Sequence, residues 1–278
     1  METTPKQKWS LFAVSIPVML WTLIPIFWIF SLSVKPSENQ ADKNFLPAAF
    51  SWENYQLILT GGASDLFLPA LRNSIIVCLA ATVISVVLAT FCAYAIARLD
   101  FPGKKMILLV SLAVSFFPVI SLVTPLFDLW RNVGLFDTIP GLIIPYLSLT
   151  LPLSIWVLSA FFQQIPWEME QAAQVDGATS WEAFRKVIVP LAAPGVFTTA
   201  IITFFTAWND FVFAISLTSE NARTVPAALA FFTGASQFEQ PTGAISAAAV
   251  IVTIPVVILV LLFQRRIVAG LTSGAVKG

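Results

Sequence analysis

Apolar residues in this chain run in blocks rather than alternating with polar ones. Six blocks, at 11–34, 74–97, 106–127, 141–162, 192–217 and 244–263, each hold about 20 residues or more. Five contain no Asp, Glu, Lys or Arg, and the fifth block contains only Asp210. About 20 helical residues cross the roughly 30 Å hydrocarbon core of a bilayer. The blocks are too long for barrel strands and show no strand-period alternation, so each predicts a helix whose backbone satisfies itself. The first block follows Lys6 and Lys8. Its length exceeds the roughly 7–15 apolar residues of a signal peptide, and no small-residue cleavage site follows, so it reads as a retained first span.

The polar segments between blocks set the expected orientation. With a cytoplasmic N-terminus, ten basic residues fall on the inside: Lys6, Lys8, Arg98, Lys104, Lys105, Arg185, Lys186, Arg265, Arg266 and Lys277. Five fall outside: Lys35, Lys43, Arg72, Arg131 and Arg223. The excess of inside Lys and Arg predicts cytoplasmic N- and C-termini. The long polar segments are then the outer loops 35–73 and 218–243 and the inner loop 163–191. Within 35–73 an amphipathic piece at 52–59 is expected to lie along the membrane interface. Eight of the 18 prolines fall inside spans. Proline in a membrane helix frees a carbonyl and bends the axis. Bent helices around a translocation route and ordinary tolerance of proline in membranes both account for this.

Composition agrees with the blocks and narrows the function. The chain of 278 residues is 58% hydrophobic and 11% charged, against roughly 25% charged in soluble domains, so a soluble enzyme is excluded. Net charge is zero and there is no basic tract, which leaves nucleic-acid binding without an electrostatic footing. There is no His, which removes the usual general base and the commonest metal ligand. Cys78 and Cys92 lie 14 residues apart in one span, about 21 Å along a helix and beyond disulfide reach. The only Gly-Lys pair is Gly103-Lys104, and Arg98 stands five residues before Gly103 where a Walker A motif needs Gly. The chain is therefore expected to be non-catalytic, with no catalytic residues, no metal site and no bound cofactor.

Asp210, in Trp208-Asn209-Asp210, is the single intramembrane acid. A carboxylate at mid-bilayer costs roughly 2.5–3.5 kcal/mol on insertion scales, so it should face a cavity or a partner. Three readings stand beside one another: a polar contact on a substrate route, a clamp between helices, and a proton relay. The loop 163–191 carries more local signal. Pro166 suits a first helical turn, followed by helix formers through Val175. Gly177 supplies a turn through positive φ. Thr179-Ser180-Trp181-Glu182 has the capping-box spacing that starts a second helix, expected to end before Pro190. The segment predicts a compact two-helix knob.

Several stretches carry a resemblance to a known family. Glu170-Gln171-Ala172-Ala173-Gln174-Val175-Asp176-Gly177-Ala178, with Phe184 and Pro190, resembles the "EAA" loop of membrane subunits of bacterial binding-protein-dependent ABC importers. Arg98-Leu99-Asp100-Phe101-Pro102-Gly103-Lys104, Gly134-Leu135-Phe136-Asp137-Thr138 and Trp208-Asn209-Asp210 are similar to further stretches of that family, in the same order along nearly the whole chain. The tail from Gly270 is similar to the C-terminus of maltose-type second permease subunits, and with the 237–243 loop it resembles the trehalose-importing actinobacterial branch.

The resemblance implies an all-α membrane protein, a type I ABC importer permease bundle of six transmembrane helices forming one domain over 1–278. It implies a multi-pass plasma-membrane subunit forming half of the pathway for a sugar, with a disaccharide such as trehalose as the expected cargo. Partners implied are a second permease subunit, two ABC ATPase subunits that use ATP and Mg, an extracytoplasmic solute-binding lipoprotein and membrane lipid. Glu170, Gln171, Ala172, Ala173, Asp176, Gly177 and Ala178 are the expected ATPase-coupling residues, with Glu170 and Asp176 bonding basic groups of a groove. Gln171 stands where the motif usually has Glu. Leu271, Thr272, Ser273 and Gly274 of the tail 264–278 are expected to touch the ATPase pair, and Trp208, Asn209 and Asp210 to lie on the substrate route. The alternative is half of an ion-coupled secondary sugar transporter, which would carry more intramembrane acids and inverted repeats.

Overall fold

The structure is a computed structural model that describes residues 5–232 and 241–275, with side chains described over 12–232 and 241–263. Among these residues the regular elements are helices: α1 Pro5–Ser33, α2 Glu53–Leu59, α3 Ser64–Arg98, α4 Lys104–Ser115, α5 Ile120–Val133, α6 Ile139–Gln164, α7 Trp167–Val175, α8 Ser180–Ala183, α9 Val189–Leu191, α10 Ala193–Trp208, α11 Val212–Leu217, α12 Val225–Leu229 and α13 Thr242–Ala275. A π-helical segment, Phe184–Ile188, joins α8 to α9. Four helices are long and apolar enough to cross a membrane, and two bent pairs raise the number to six if each is one span.

The expected spans map onto these helices with instructive departures. The first, second, fourth and sixth blocks are single helices, and α3 and α13 run past the expected ends. The third is broken: α4 and α5 meet at 92°. Pro118 lies in the break, has no N–H to donate and disfavours helix at Phe117. The fifth is broken at 209–211, between α10 and α11. The tail beyond the sixth block continues the helix to Ala275. The side chains of Leu271–Gly274, and residues 233–240 and 276–278, lie outside the described residues.

The chain forms two compact units, Met1–Leu68 with Leu229–Pro255, and Pro69–Ala228 with Val256–Gly278. In the first unit no side chain from Phe12 to Phe30 is buried. A helix apolar on every side suits a lipid or protein surround. The loop after α1 is closed by polar contacts. Lys35 is fully buried and donates to the carbonyls of Asp42 at 2.8 Å and Asn44 at 2.7 Å, with its Nζ 4.8 Å from the Trp28 ring centroid. Asn54 donates to the carbonyls of Ser33 and Lys35.

In the second unit α6 packs against α4 and α10. Ala89 and Ala93 of α3, Leu158 and Phe162 of α6, and Ile188 and Ala192 beyond them form one buried cluster. The alanines let the backbones approach closely, as small residues do between membrane helices. Thr150 Oγ1 donates to Ser85 Oγ at 3.0 Å, and the Ser154 and Thr203 hydroxyls are 3.0 Å apart. Such bonds average only about 0.6 kcal/mol in membranes, so packing holds these helices and the hydroxyls fix their register.

Candidate functional site

The loop 163–191 forms the expected knob. Ile165 is extended and Pro166 caps α7 from outside the helix. At the other end of α7 the Gly177 N–H bonds the Gln174 carbonyl at 3.0 Å and the Ala178 N–H bonds the Ala173 carbonyl at 2.9 Å. Gly177 has φ +92°. These paired bonds around a left-handed glycine are a Schellman C-cap. Thr179 and Glu182 then form the reciprocal capping box that starts α8. Lys186 donates to Glu182 at 2.8 Å. That hydrogen bond, followed by the Thr179 N–H, holds the Glu182 carboxyl down at about 2.

Pro190 does not end the second helix as expected. The backbone widens into the π segment, where the Val189 N–H reaches back to the Phe184 carbonyl, and α9 continues through Pro190. Proline's ring presses on the carbonyl four residues back, and the wider turn gives that carbonyl room. The knob then meets α10 at 70°.

The outer face of the knob is small and exposed. Gln171, Ala172, Gln174, Val175, Asp176 and Gly177 are exposed, and Ala173 and Ala178 are half-buried. Val175 stands 87% exposed at the tip, an apolar side chain with no cover. Glu170 departs from expectation. It is 5% exposed and turned inward, where its Oε1 accepts the Tyr94 hydroxyl at 2.6 Å and its Oε2 lies 3.6 Å from Arg98 Nε. Its carboxylate is therefore turned away from the outer face of the knob. The structure brings Glu170 together with Tyr94 and Arg98, neither of which the sequence reading assigned to the coupling site. The signal was present: Phe91, Tyr94 and Arg98 share one face of α3 at helical spacing.

Trp208, Asn209 and Asp210 lie together at the break of the fifth span. They are separated from the knob by the 16 residues of α10, about 24 Å. Trp208 is buried and stacked on Phe204 at 5.2 Å. Asn209 is exposed and donates to the Phe205 carbonyl at 2.8 Å. Asp210 is half-buried and accepts the Ala214 N–H at 3.0 Å and the Phe213 N–H at 3.5 Å. The carboxylate caps α11 within its own span.

A second polar lock joins the turn before α6 to the segment after α11. Asp137 has φ +57° and accepts backbone N–H groups from Ser219, Glu220, Asn221 and Ala222, plus the Asn221 side chain. Burial pushes this carboxyl up, but the N–H groups of Ser219, Asn221, Ala222 and Glu220 outweigh it and hold the pKa down at about 2. Asn73 donates to the carbonyls of Asn221 and Arg223, and the Val225 N–H reaches Ser74.

Residues 85–273 match the family described as "Binding-protein-dependent transport system inner membrane component". The chain is 56% identical over 262 residues to the trehalose transport system permease protein SugB of Mycobacterium tuberculosis, covering 94% of each. It is 40% identical over 258 residues to the trehalose/maltose transport system permease protein MalG of Thermococcus litoralis, covering 92% of each. Its fold is similar to a chain of a bacterial ABC transporter that imports the acidic polysaccharide alginate, with a TM-score of 0.77 at 22% identity over 95% of this chain and 99% of that one. The chain is thus a multi-pass membrane protein and belongs to the inner-membrane component family of binding-protein-dependent transport systems.

Proposed function

We propose that this chain forms half of the pathway by which an ABC importer carries a sugar, a disaccharide such as trehalose, into the cell. A second permease subunit supplies the other half, two ATPase subunits hydrolyse ATP with Mg, and an extracytoplasmic solute-binding lipoprotein delivers the cargo. The chain's own part is mechanical. The loop 163–191 meets one ATPase subunit on the cytoplasmic side, the Arg-rich end of α13 lies at the inner leaflet, and its last turns through Leu271, Thr272, Ser273 and Gly274 reach the ATPase pair. The break at Trp208-Asn209-Asp210 flanks the sugar route, with Asp210 shaping it by capping α11 rather than by offering a free charge.

The observation that carries this reading is the exposed knob face. Val175 is uncovered beside Ala172 and Gly177, on a turn fixed by a Schellman cap and a capping box. A rigid surface of small residues lets a partner backbone approach closely and needs little ordering on contact. Because Gln171 is neutral and Glu170 points inward, Asp176 is the acid left among the coupling residues on this face, and packing with neutral hydrogen bonds, about 0.5–1.5 kcal/mol each, carries more of the contact than an ion pair.

The test is uptake of radiolabelled trehalose by proteoliposomes holding the complete complex. Uptake is expected to require ATP inside, both ATPase subunits and the binding protein. Uptake driven by a proton or Na⁺ gradient without ATP would overturn the proposal. ATP-dependent uptake of another sugar but not trehalose would overturn only the cargo.

A further inference from the structure

Among the charged groups of the knob, Glu170 is the one withdrawn from the surface, and the proposed ATPase contact makes no use of it. Its surroundings come from the last turns of α3. Tyr94 Oη donates to Oε1 at 2.6 Å, and Arg98 Nε stands 3.6 Å from Oε2 with both side chains about 5% exposed. Arg98 grips the loop a second time, because its Nη2 donates to the Ile165 carbonyl at 2.8 Å and its guanidinium carbon lies 4.9 Å from the Trp167 ring centroid. The other leg of the knob bears on the same helix end through rings. Phe184 lies 4.6 Å from Tyr94 and 5.7 Å from Phe91, and Trp181 lies 6.2 Å from Phe91. Both legs are thus seated on one face of α3.

Rings can slide past one another, whereas a buried carboxylate held by a phenol and a guanidinium cannot leave without abandoning a charge in a dry site. The ion pair is also not fully closed. Arg98 Nε and Glu170 Oε2 are both buried without a hydrogen-bond partner, 3.6 Å apart, about 0.6 Å beyond an ordinary N–H···O separation. A small movement of α7 toward α3 would close it.

We propose that Glu170 is the positioning residue that makes the knob a lever: with Arg98 and Tyr94 it forms a buried strut tying α7 to the end of α3. A displacement of the exposed face then moves the second span as a body instead of deforming the loop. This rests on the knob being the ATPase contact.

The experiment measures trehalose molecules transported per ATP hydrolysed in the reconstituted full complex, together with the amount of ATPase that co-purifies. Glu170→Gln keeps the side-chain shape and the bond to Tyr94 but removes the ion pair, and Arg98→Gln removes it from the other side. Each is expected to lower the transport-to-hydrolysis ratio at least tenfold with normal co-purification, and the double variant is expected to be no worse than Arg98→Gln alone, which also loses the Ile165 and Trp167 contacts. Multiplicative losses in the double variant, or a normal ratio in the singles, would overturn the strut. Should either variant fail to accumulate, Tyr94→Phe, which keeps the ring and both charges, is read instead. A threefold or greater loss of the ratio supports the strut and an unchanged ratio overturns it. Cross-linking from position 175 to the ATPase, performed in parallel, separates the two proposals: a cross-link with a normal ratio overturns the strut alone, and no cross-link overturns the knob contact beneath it.

Discussion

Replacing Gly177 with alanine and, separately, with leucine divides two effects that a single substitution would merge. Gly177 sits at φ +92°, where any side chain strains the backbone by roughly 1–2 kcal/mol, and a Cβ there meets nothing within 4 Å in this chain. Alanine and leucine therefore carry the same backbone strain, and their shared Cβ meets nothing in this chain. Leucine adds three carbons at an exposed turn, where a partner covering the turn would have to make room for them. Overpacking a well-fitted surface costs about 1–3 kcal/mol. At about 1.4 kcal/mol per tenfold, leucine should weaken ATPase association roughly five- to 150-fold more than alanine. The assay is titration of purified ATPase subunits onto the permease pair in lipid nanodiscs, with thermal unfolding of the pair as the control. The two variants should unfold together and bind differently. Equal binding by the two would refute the claim that this turn is covered in the complex.

Two further outcomes follow from the polar locks. Asp137→Asn should destabilise the protein by about 1–2 kcal/mol near neutral pH, the low end for hydrogen bonds to a half-exposed charge. The folded carboxyl titrates at about 2, below its ordinary 3.8, so its contribution is complete above about pH 4 and is lost as pH falls toward 2. Thermal unfolding of the two proteins should thus converge on acidification, and a gap that widens would contradict the lock. Asp210→Ala should cost about 1 kcal/mol by uncapping α11, while Asp210→Asn, which keeps an acceptor oxygen, should leave abundance and sugar uptake near normal. Loss of uptake in the Asn variant at normal abundance would show that the charge itself serves transport.

Local chemistry made much of this fold legible. A block of apolar residues becomes a span because lipid leaves a backbone no other way to satisfy itself. The Thr179–Glu182 box and the left-handed Gly177 are likewise decided within a few residues. The departures arise where distant groups decide. Glu170 looks like a surface acid until Tyr94, 76 residues earlier, and Arg98 are folded against it. The capping box and a preceding helix former gave no sign of the π turn, because a proline that usually ends a helix is absorbed when the turn beside it widens. Asp210 was legible as a group needing a partner, yet the partner is the N-terminus of α11, created by a break that the apolar run from 192 to 217 conceals. Residues 208–210 were harder to read than the knob for this reason: a lipid-soluble block reports that a segment crosses, not where it breaks.

The most direct test of the central claim is photo-cross-linking from position 175. A photoreactive residue replaces Val175 at the exposed tip of the knob, and the complete complex is irradiated in nanodiscs with and without ATP. The expected product joins this chain to an ATPase subunit, in a yield that changes with nucleotide, while the same group at position 137 gives no ATPase adduct. Adducts to the binding protein or to lipid from position 175, with none to the ATPase in an intact complex, would contradict the assignment of this loop as the point where ATP hydrolysis is coupled to transport.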